Sequence, residues 1–229
     1  MTHATPSGAR PVNFLTDDGV HVRGAYYGGT ADRALTLVLI HDAGGDRTCW
    51  DPYVPLFRSR GWNVLTFDLR GHGESLRQDM RLALLRPDAA ELSSPHVHPA
   101  DVRAAVAFAQ RQPGYVPGMI ALIGLGFGGD LAYAGSARGW GGASTVCVGL
   151  DEERARALAG NGSFSPRGCY LMYGSGDWTS AGSADAFRAT AAAPSEAFAY
   201  PSEKTGLPLW EERQPEILAR SIAWIEKTT

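Results

Sequence analysis

Charge of one sign, cysteine and long apolar runs are all scarce in this sequence of 229 residues. The formal net charge is only -3, so the chain has no basic excess of the kind that binds nucleic acid. No apolar run approaches the roughly 20 residues that cross a bilayer. The first ten residues lack the apolar core of a signal peptide. We therefore expect a cytoplasmic protein whose partner is a small molecule, and neither nucleic acid nor a membrane.

Few residues offer thiol or metal chemistry. The three cysteines, Cys49, Cys147 and Cys169, follow no metal-binding spacing, and the last two lie in apolar runs that predict buried strands. Free, packed thiols are therefore favoured over a catalytic cysteine. His96 and His98 form an H-x-H pair, but no third ligand follows at a known spacing, and a solvated loop before a helix is the simpler interpretation. The sequence predicts neither a metal site nor a cofactor.

Apolar runs of strand length alternate with segments of helical periodicity along most of the chain, after an initial hairpin around Asp17-Asp18-Gly19. This alternation predicts one α/β domain over residues 1–229, with a doubly wound, mainly parallel sheet of about eight strands and helices on both faces. Ligands of such sheets bind at the carboxyl ends of the strands. Residues 1–10 are predicted as a flexible tail. Residues 77–98 are polar, contain two prolines and are predicted as a loop or rudimentary lid.

The stretch from Met119 to Ala132, M-I-A-L-I-G-L-G-F-G-G-D-L-A, joins an apolar run, a glycine-rich turn and the start of a helix. A strand, a sharp turn and a helix carrying G-x-S-x-G form a nucleophile elbow, which places a serine beside backbone N–H donors. Here the frame is Gly124-Leu125-Gly126-Phe127-Gly128. The sequence thus predicts the elbow with glycine at the position of the nucleophile.

Four further motifs occur with the elbow in a fixed order along the chain. They are Val38-Leu39-Ile40-His41 followed by Gly44-Gly45, Asp68-Leu69-Arg70-Gly71-His72-Gly73-Glu74-Ser75, Gly174-Ser175-Gly176-Asp177, and Thr205-Gly206-Leu207-Pro208-Leu209. In this order they resemble the α/β-hydrolase family, specifically its small capless members similar to dienelactone hydrolases and bacterial carboxylesterases. The resemblance implies the α/β-hydrolase fold without a large cap domain.

The resemblance also implies where a catalytic triad would lie. The nucleophile belongs at Gly126, the acid at Asp177 and the histidine at Thr205, so the groups that attack the substrate and move the proton are both absent. A glycine at the elbow also avoids the roughly 1 to 3 kcal/mol of strain that a residue with a side chain bears there. Conventional serine-hydrolase activity is not expected from this triad.

The resembling enzymes also have an oxyanion hole, which does not depend on the triad. Its donors would be the N–H of Phe127 and an N–H near Asp42 or Ala43. Asp42 is a candidate acid or base, or else a loop carboxylate that caps nearby N–H groups. Asp177 is either a relic of the triad or a lone base. Asp130 is best explained as a carboxylate that complements the helix dipole.

Three hypotheses for function follow. The first is a degenerate hydrolase-fold protein that binds a small carbonyl compound and catalyses a non-hydrolytic proton transfer, cyclisation or elimination through the oxyanion hole and a carboxylate such as Asp177 or Asp42. The second is a binding or scaffold protein without turnover. The third is an esterase, lactonase or thioesterase that uses an unrecognised nucleophile or an activated water. The resemblance gives His41 and His72 structural roles in any of these.

Overall fold

The computed structural model describes residues 6–30, 34–78, 98–140 and 142–229, and its strands form one mixed sheet. The strands are β1 (Arg10–Leu15), β2 (Val20–Tyr27), β3 (Thr36–Ile40), β4 (Asn63–Phe67), β5 (Arg77–Gln78), β6 (Ile120–Leu125), β7 (Ser144–Val148), β8 (Arg167–Gly174) and β9 (Ala192–Tyr200). Their order is β1-β2-β4-β3-β6-β7-β8-β9, with the two-residue β5 paired to β2. All pairs from β4 to β9 are parallel, and the pairs that involve β2 are antiparallel.

Helices cover both faces of this sheet. They are α1 (Val54–Arg58), α2 (His98–Gln110), α3 (Phe127–Arg138), α4 (Glu152–Ala159), α5 (Trp178–Thr190), α6 (Gly206–Glu212) and α7 (Glu216–Thr228), preceded by a 3-10 turn (Arg47–Trp50). Apolar residues of α2 to α5 belong to one core cluster, and those of α1, α6 and α7 belong to the other. The predicted doubly wound α/β sheet is therefore confirmed, and the described residues contain no cap domain.

The central strands of the sheet are buried on both faces. Every residue of β3, β4, β6 and β7 is buried, as expected of parallel strands with helices on each face. Trp50 and Trp210 are fully buried and meet edge to face, with ring centroids 5.4 Å apart, so they pack the core. Trp178 is different, since 91% of its surface is exposed at the start of α5.

None of the described helices is long and apolar enough to cross a membrane.

Two predictions about the chain need correction. Arg10 is not part of a flexible tail, because it pairs with Tyr26 in the β1–β2 ladder. His98 does not lie in a solvated loop. It begins α2 and is only 2% exposed, because the ring of Phe127 packs against it with centroids 5.1 Å apart. Residues 1–5 and 79–97, which include half of the predicted tail, most of the predicted lid and His96, lie outside the described residues.

The predicted state of the cysteines is confirmed. All three are free thiols, and Cys147 and Cys169 are buried in β7 and β8. Burial raises the pKa of both thiols, so neither forms a thiolate readily.

Candidate active site

The turn between β6 and α3 has the geometry of a nucleophile elbow. Gly126 adopts φ 51° and ψ -116°, a conformation in which a residue with a side chain is strained. Its N–H donates to the carbonyl oxygen of Val148 at 2.9 Å, and its own carbonyl accepts from the N–H of Asp130 at 3.1 Å. The turn is also closely packed, since a Cβ on Gly124 would lie 2.0 Å from the carbonyl oxygen of Gly128. These contacts hold the backbone of the turn in this conformation.

The carboxylate of Asp42 lies directly over this elbow. Its Oδ1 accepts hydrogen bonds from the backbone N–H of Phe127 and from that of Ala43, both at 2.8 Å. Both N–H groups are among those that the family resemblance assigns to an oxyanion hole, at Phe127 and near Asp42 or Ala43. In this structure both of them donate to an oxygen of the protein itself.

The same carboxylate fills the space that a side chain at position 126 would need. A Cβ on Gly126 would lie 2.2 Å from Asp42 Oδ2 and 2.3 Å from Oδ1. A Cβ on Gly206, which has φ +54°, would lie 2.4 Å from Oδ2. No donor among the described residues makes a hydrogen bond to Oδ2. Glycines at 126 and 206 are thus required by the Asp42 side chain, and they leave one of its oxygens without a partner.

The surroundings of Asp42 act on its proton affinity in opposite directions. Burial raises the pKa of the carboxyl above its ordinary value, while the N–H groups of Phe127 and Ala43 and the charge of Arg154 lower it. Burial is the larger effect, so the pKa is raised. Asp42 is therefore a carboxylate fixed by two hydrogen bonds and more basic than an exposed aspartate.

The positions of the acid and the histidine lie on neighbouring loops. Asp177 precedes α5 and Thr205 precedes α6, and the loops touch where the N–H of Gly176 donates to the carbonyl oxygen of Ser202 at 2.8 Å. Asp177 Oδ2 is buried without a hydrogen-bond partner among the described residues. Thr205 makes no side-chain cap to α6. Among the described residues, Asp177 thus has no imidazole to orient.

His41 and His72 have structural roles, because both nitrogens of each ring bind the backbone. His41 Nε2 accepts from the N–H of Leu69 at 2.9 Å, which puts the ring proton on Nδ1, 2.7 Å from the carbonyl oxygen of Asp42. His72 Nε2 accepts from the N–H of Gly44 at 3.1 Å, and its Nδ1 donates to the carbonyl oxygen of Arg70 at 3.0 Å. Burial lowers the pKa of His41 to about 4. These rings tie the Asp42 loop to the loop after β4.

Arg154 and its partner Asp130 complete the described surroundings of the elbow. Asp130 is fully buried, and it accepts from the N–H of Asp151 at 2.8 Å and from Arg154 Nε at 2.5 Å. Arg154 Cζ lies 5.6 Å from the centroid of the Phe127 ring. The buried Asp130 is thus paired with the half-exposed Arg154, beyond the helix-dipole role that its place in α3 suggests. Sequence reasoning did not single out Arg154, whose only signal was its place in the first turn of a helix after a strand.

The Asp130 carboxyl gives a prediction for the dependence of stability on pH. Burial raises its pKa from 3.8 to about 7, so between about pH 4 and pH 7 the folded protein holds a proton that the unfolded chain has released. Its contribution to the free energy of unfolding therefore falls as the pH rises through this window, by on the order of a few kcal/mol. We expect Asp130→Asn to remove this fall. Urea denaturation of both proteins across the window checks it, and parallel curves would contradict it.

The described residues contain no group of three or more His, Cys, Asp and Glu side chains that could hold a metal ion. The groups gathered at the elbow are one carboxylate over two N–H donors, the ion pair of Asp130 with the half-exposed Arg154, and an aromatic ring. This arrangement can accept a proton at Asp42 Oδ2 and can bind an anion at Arg154.

The chain is similar to known proteins in sequence and in fold. The sequence model of the alpha/beta hydrolase family matches residues 37–226. The uncharacterized protein YfhR of Salmonella typhi is 25% identical over 171 residues, which cover 70% of this chain and 51% of that protein. The thiohydrolase aneE of Aspergillus aculeatus is 33% identical over 125 residues, which cover 53% of this chain and 35% of that protein. The chain spans about half the length, or less, of the curated relatives it matches.

Among solved structures, the alpha/beta hydrolase GrgF from Penicillium sp. sh18 superposes with a TM-score of 0.72 at 17% sequence identity. The match covers 96% of this chain and 98% of that chain. At this identity the superposition establishes the fold alone, whereas the family model covers most of the sequence, including the elbow. The chain therefore belongs to the alpha/beta hydrolase family.

Proposed function

We propose that this protein is a small-molecule enzyme in which the Asp42 carboxylate replaces the serine and histidine of the family as a general base. It takes a proton from the carbon next to a carbonyl group, and the resulting tautomerisation, cyclisation or elimination involves no hydrolysis. The observation that carries the proposal is the position of the carboxylate, with Oδ1 bound to Phe127 and Ala43 and Oδ2 free over Gly126.

This position argues against conventional ester hydrolysis. Acyl transfer needs the two N–H donors to stabilise a developing oxyanion. In this protein Asp42 Oδ1 already accepts both hydrogen bonds, and its negative charge would repel an oxyanion placed beside it. A Ser→Gly replacement at the elbow removes the attacking atom as well. Hydrolysis through this hole would require Asp42 to leave it.

The same position favours proton transfer. A base must lie within hydrogen-bond reach of the proton it abstracts, and its pKa should approach the working pH. Asp42 Oδ2 is held in place through Oδ1 and accepts no other hydrogen bond from the described residues, and burial raises the pKa of its carboxyl. Such a base contributes typically about 10² to 10⁴ in rate.

The test is exchange of carbon-bound protons for deuterium in D₂O, followed by proton NMR with pyruvate, 2,3-butanedione and acetylacetone as probes. We expect the protein to accelerate exchange of at least one probe and Asp42→Asn to lose about 10² to 10⁴ of that acceleration. Asp177→Asn is the matched control, because it neutralises the other candidate carboxylate. Loss of exchange in Asp177→Asn but not in Asp42→Asn would assign the base to Asp177 instead.

Chemical rescue sharpens this test. Asp42→Gly empties both the hole and the space above Gly126, so added formate can bind the N–H groups of Phe127 and Ala43 and act as the base. We expect formate to restore exchange in Asp42→Gly and chloride at the same ionic strength not to do so. Formate should leave Asp42→Asn inactive, because the amide still fills the site.

Two other functions give distinct results in these assays. A binding protein without turnover would leave every probe at the uncatalysed rate of exchange. The partial similarity to the thiohydrolase aneE makes thioester hydrolysis the hydrolytic alternative. Release of thiol from acetyl thioesters by the natural protein, unaffected by Asp42→Asn, would support that alternative over proton transfer.

A further inference from the structure

Proton abstraction by Asp42 creates a negative charge on the ligand, and the N–H groups of Phe127 and Ala43 are not free to stabilise it. When a carbon next to a carbonyl loses its proton, the electron pair moves to the carbonyl oxygen and the ligand becomes an enolate. That oxygen needs a hydrogen-bond donor or a cation. The N–H groups of Phe127 and Ala43 are already bound to Asp42 Oδ1, so another group must hold the ligand oxygen.

Arg154 has the position and the free donors to do so. Its Nε is bound to the buried Asp130, which fixes the plane of the guanidinium. Its Nη1 forms a long ion pair with Asp151 Oδ2 at 3.8 Å, and neither Nη atom makes a hydrogen bond to a described residue. The side chain is 44% exposed. One edge of the guanidinium is therefore anchored, and the other is open to a ligand.

The guanidinium also lies beside the residue that positions the base. Arg154 Cζ is 5.6 Å from the centroid of the Phe127 ring, and the N–H of Phe127 holds Asp42 Oδ1 at 2.8 Å. Asp130 connects the elbow to Arg154. Its N–H donates to the carbonyl oxygen of Gly126, and its carboxylate accepts a hydrogen bond from Arg154. The base and the cation are thus held by two residues in the first turn of α3, Phe127 and Asp130.

Other arginines in the loops that follow β3 and β4 are not available in this way. Arg47 bonds Asp68 and Glu74. Arg70 bonds the buried Asp101, and its remaining nitrogens bond Asp18. These guanidinium groups are used in holding the loops together.

We propose that Arg154 binds the anionic oxygens of the ligand opposite Asp42, so that the ligands are small carbonyl compounds bearing a carboxylate, such as 2-oxo acids. This inference rests on the proposed proton transfer at Asp42. In the step, Asp42 Oδ2 takes a proton from the carbon next to the carbonyl, and the charge that develops on the ligand is paired with the guanidinium. The protonated carboxyl then returns the proton to the enolate, and neither an oxidant nor a second substrate is consumed.

The experiment measures binding as well as turnover, with pyruvate as the probe and 2,3-butanedione as its neutral counterpart. Titrations of ¹⁵N-labelled protein follow the Nε–H resonance of Arg154 and the amide resonance of Phe127. Variants are Arg154→Gln, Arg154→Lys and the matched control Arg156→Gln. Arg156 lies on the same helix, pairs with Glu152 and stacks over the ring of Phe164, away from the elbow.

We expect pyruvate to bind the natural protein about tenfold to a hundredfold more tightly than 2,3-butanedione, as a charge-assisted hydrogen bond provides. Arg154→Gln should abolish this preference and Arg156→Gln should keep it. Arg154→Lys should retain part of it, since an ammonium keeps the charge without the planar fork. The Nε–H resonance should shift with pyruvate alone.

Equal affinity for the two probes, or a preference that survives Arg154→Gln, overturns the assignment. Its failure is distinguishable from failure of the proposed function, because Asp42→Asn should lose proton exchange while it keeps the preference for pyruvate. Preference for pyruvate together with exchange that does not depend on Asp42 would uphold the anion site and refute the base.

Discussion

Substitution of Gly126 by alanine is expected to lower the free energy of unfolding by about 2 to 6 kcal/mol. The positive φ of 51° contributes strain of roughly 1 to 3 kcal/mol. The new Cβ would also lie 2.2 to 2.4 Å from three atoms of the Asp42 carboxylate. The carboxylate must then either crowd against the methyl group or leave its two N–H donors, and both are costly.

The contact between Asp42 and position 126 predicts that substitutions at these two positions are energetically coupled. In an Asp42→Gly background the crowding is gone, so Gly126→Ala should cost only the strain, roughly 1 to 3 kcal/mol. Gly139→Ala is the matched control, because Gly139 has φ +63° and a Cβ there would meet nothing within 4 Å. Its cost should be no larger than that of Gly126→Ala in the Asp42→Gly background, because Gly139 has ψ 35° and lies in the left-handed α region, whereas Gly126 has ψ -116° and lies outside it. Urea denaturation of the double-mutant cycle gives these values, and additive costs at positions 42 and 126 would contradict the contact.

Hydrolysis of activated esters should appear only when three positions are changed together. The variant Asp42→Gly, Gly126→Ser, Thr205→His regains a nucleophile and a base and frees the N–H groups of Phe127 and Ala43. The double variant Gly126→Ser, Thr205→His keeps the Asp42 carboxylate in the hole and against the introduced serine side chain. Because each oxyanion-hole donor is worth about 10² to 10³ in rate, we expect the triple variant to exceed the double variant by at least that factor.

Release of p-nitrophenol from p-nitrophenyl acetate measures this difference. Adding Asp177→Asn to the triple variant is the control, since Asp177 should orient the new imidazole, and its loss in a triad costs about 10⁴ in rate. Comparable activity in the double and triple variants would show that Asp42 leaves the hole easily. Activity in the unmodified protein at the level of the triple variant would show that a different nucleophile exists.

Local sequence patterns were sufficient to predict most of the fold. The hairpin around Asp17-Asp18-Gly19, the strands in the apolar runs and the strand, turn and helix around Gly126 occur as predicted. Each of these depends on residues close together in the chain, so apolar periodicity and the position of glycine carry the information. The short helix α6 was not predicted, because it begins at a glycine, Gly206, and contains Pro208 in its first turn.

Side-chain surroundings were harder to predict, as two residues illustrate. His98 is preceded by polar residues and a proline, which suggested a solvated loop, yet packing against Phe127 buries it, and burial lowers its pKa to about 4. Asp130 lies in the first turn of α3, where a carboxylate is common, yet its partners Asp151 and Arg154 come from the chain after β7. In both cases the deciding contact joins elements far apart in the sequence.

The sequence by itself determined the strand, the glycine-rich turn and the helix around Gly126, because these depend on consecutive residues from β6 to α3. Only the tertiary structure decided which side chain lies over Gly126. Asp42 follows β3, Phe127 follows β6 and Gly206 begins α6. Because β3 and β6 pair in parallel, Asp42 and Phe127 meet at the carboxyl ends of these two strands. The carboxylate lies in the hole because two N–H groups without another partner stabilise its charge and two glycines leave it room.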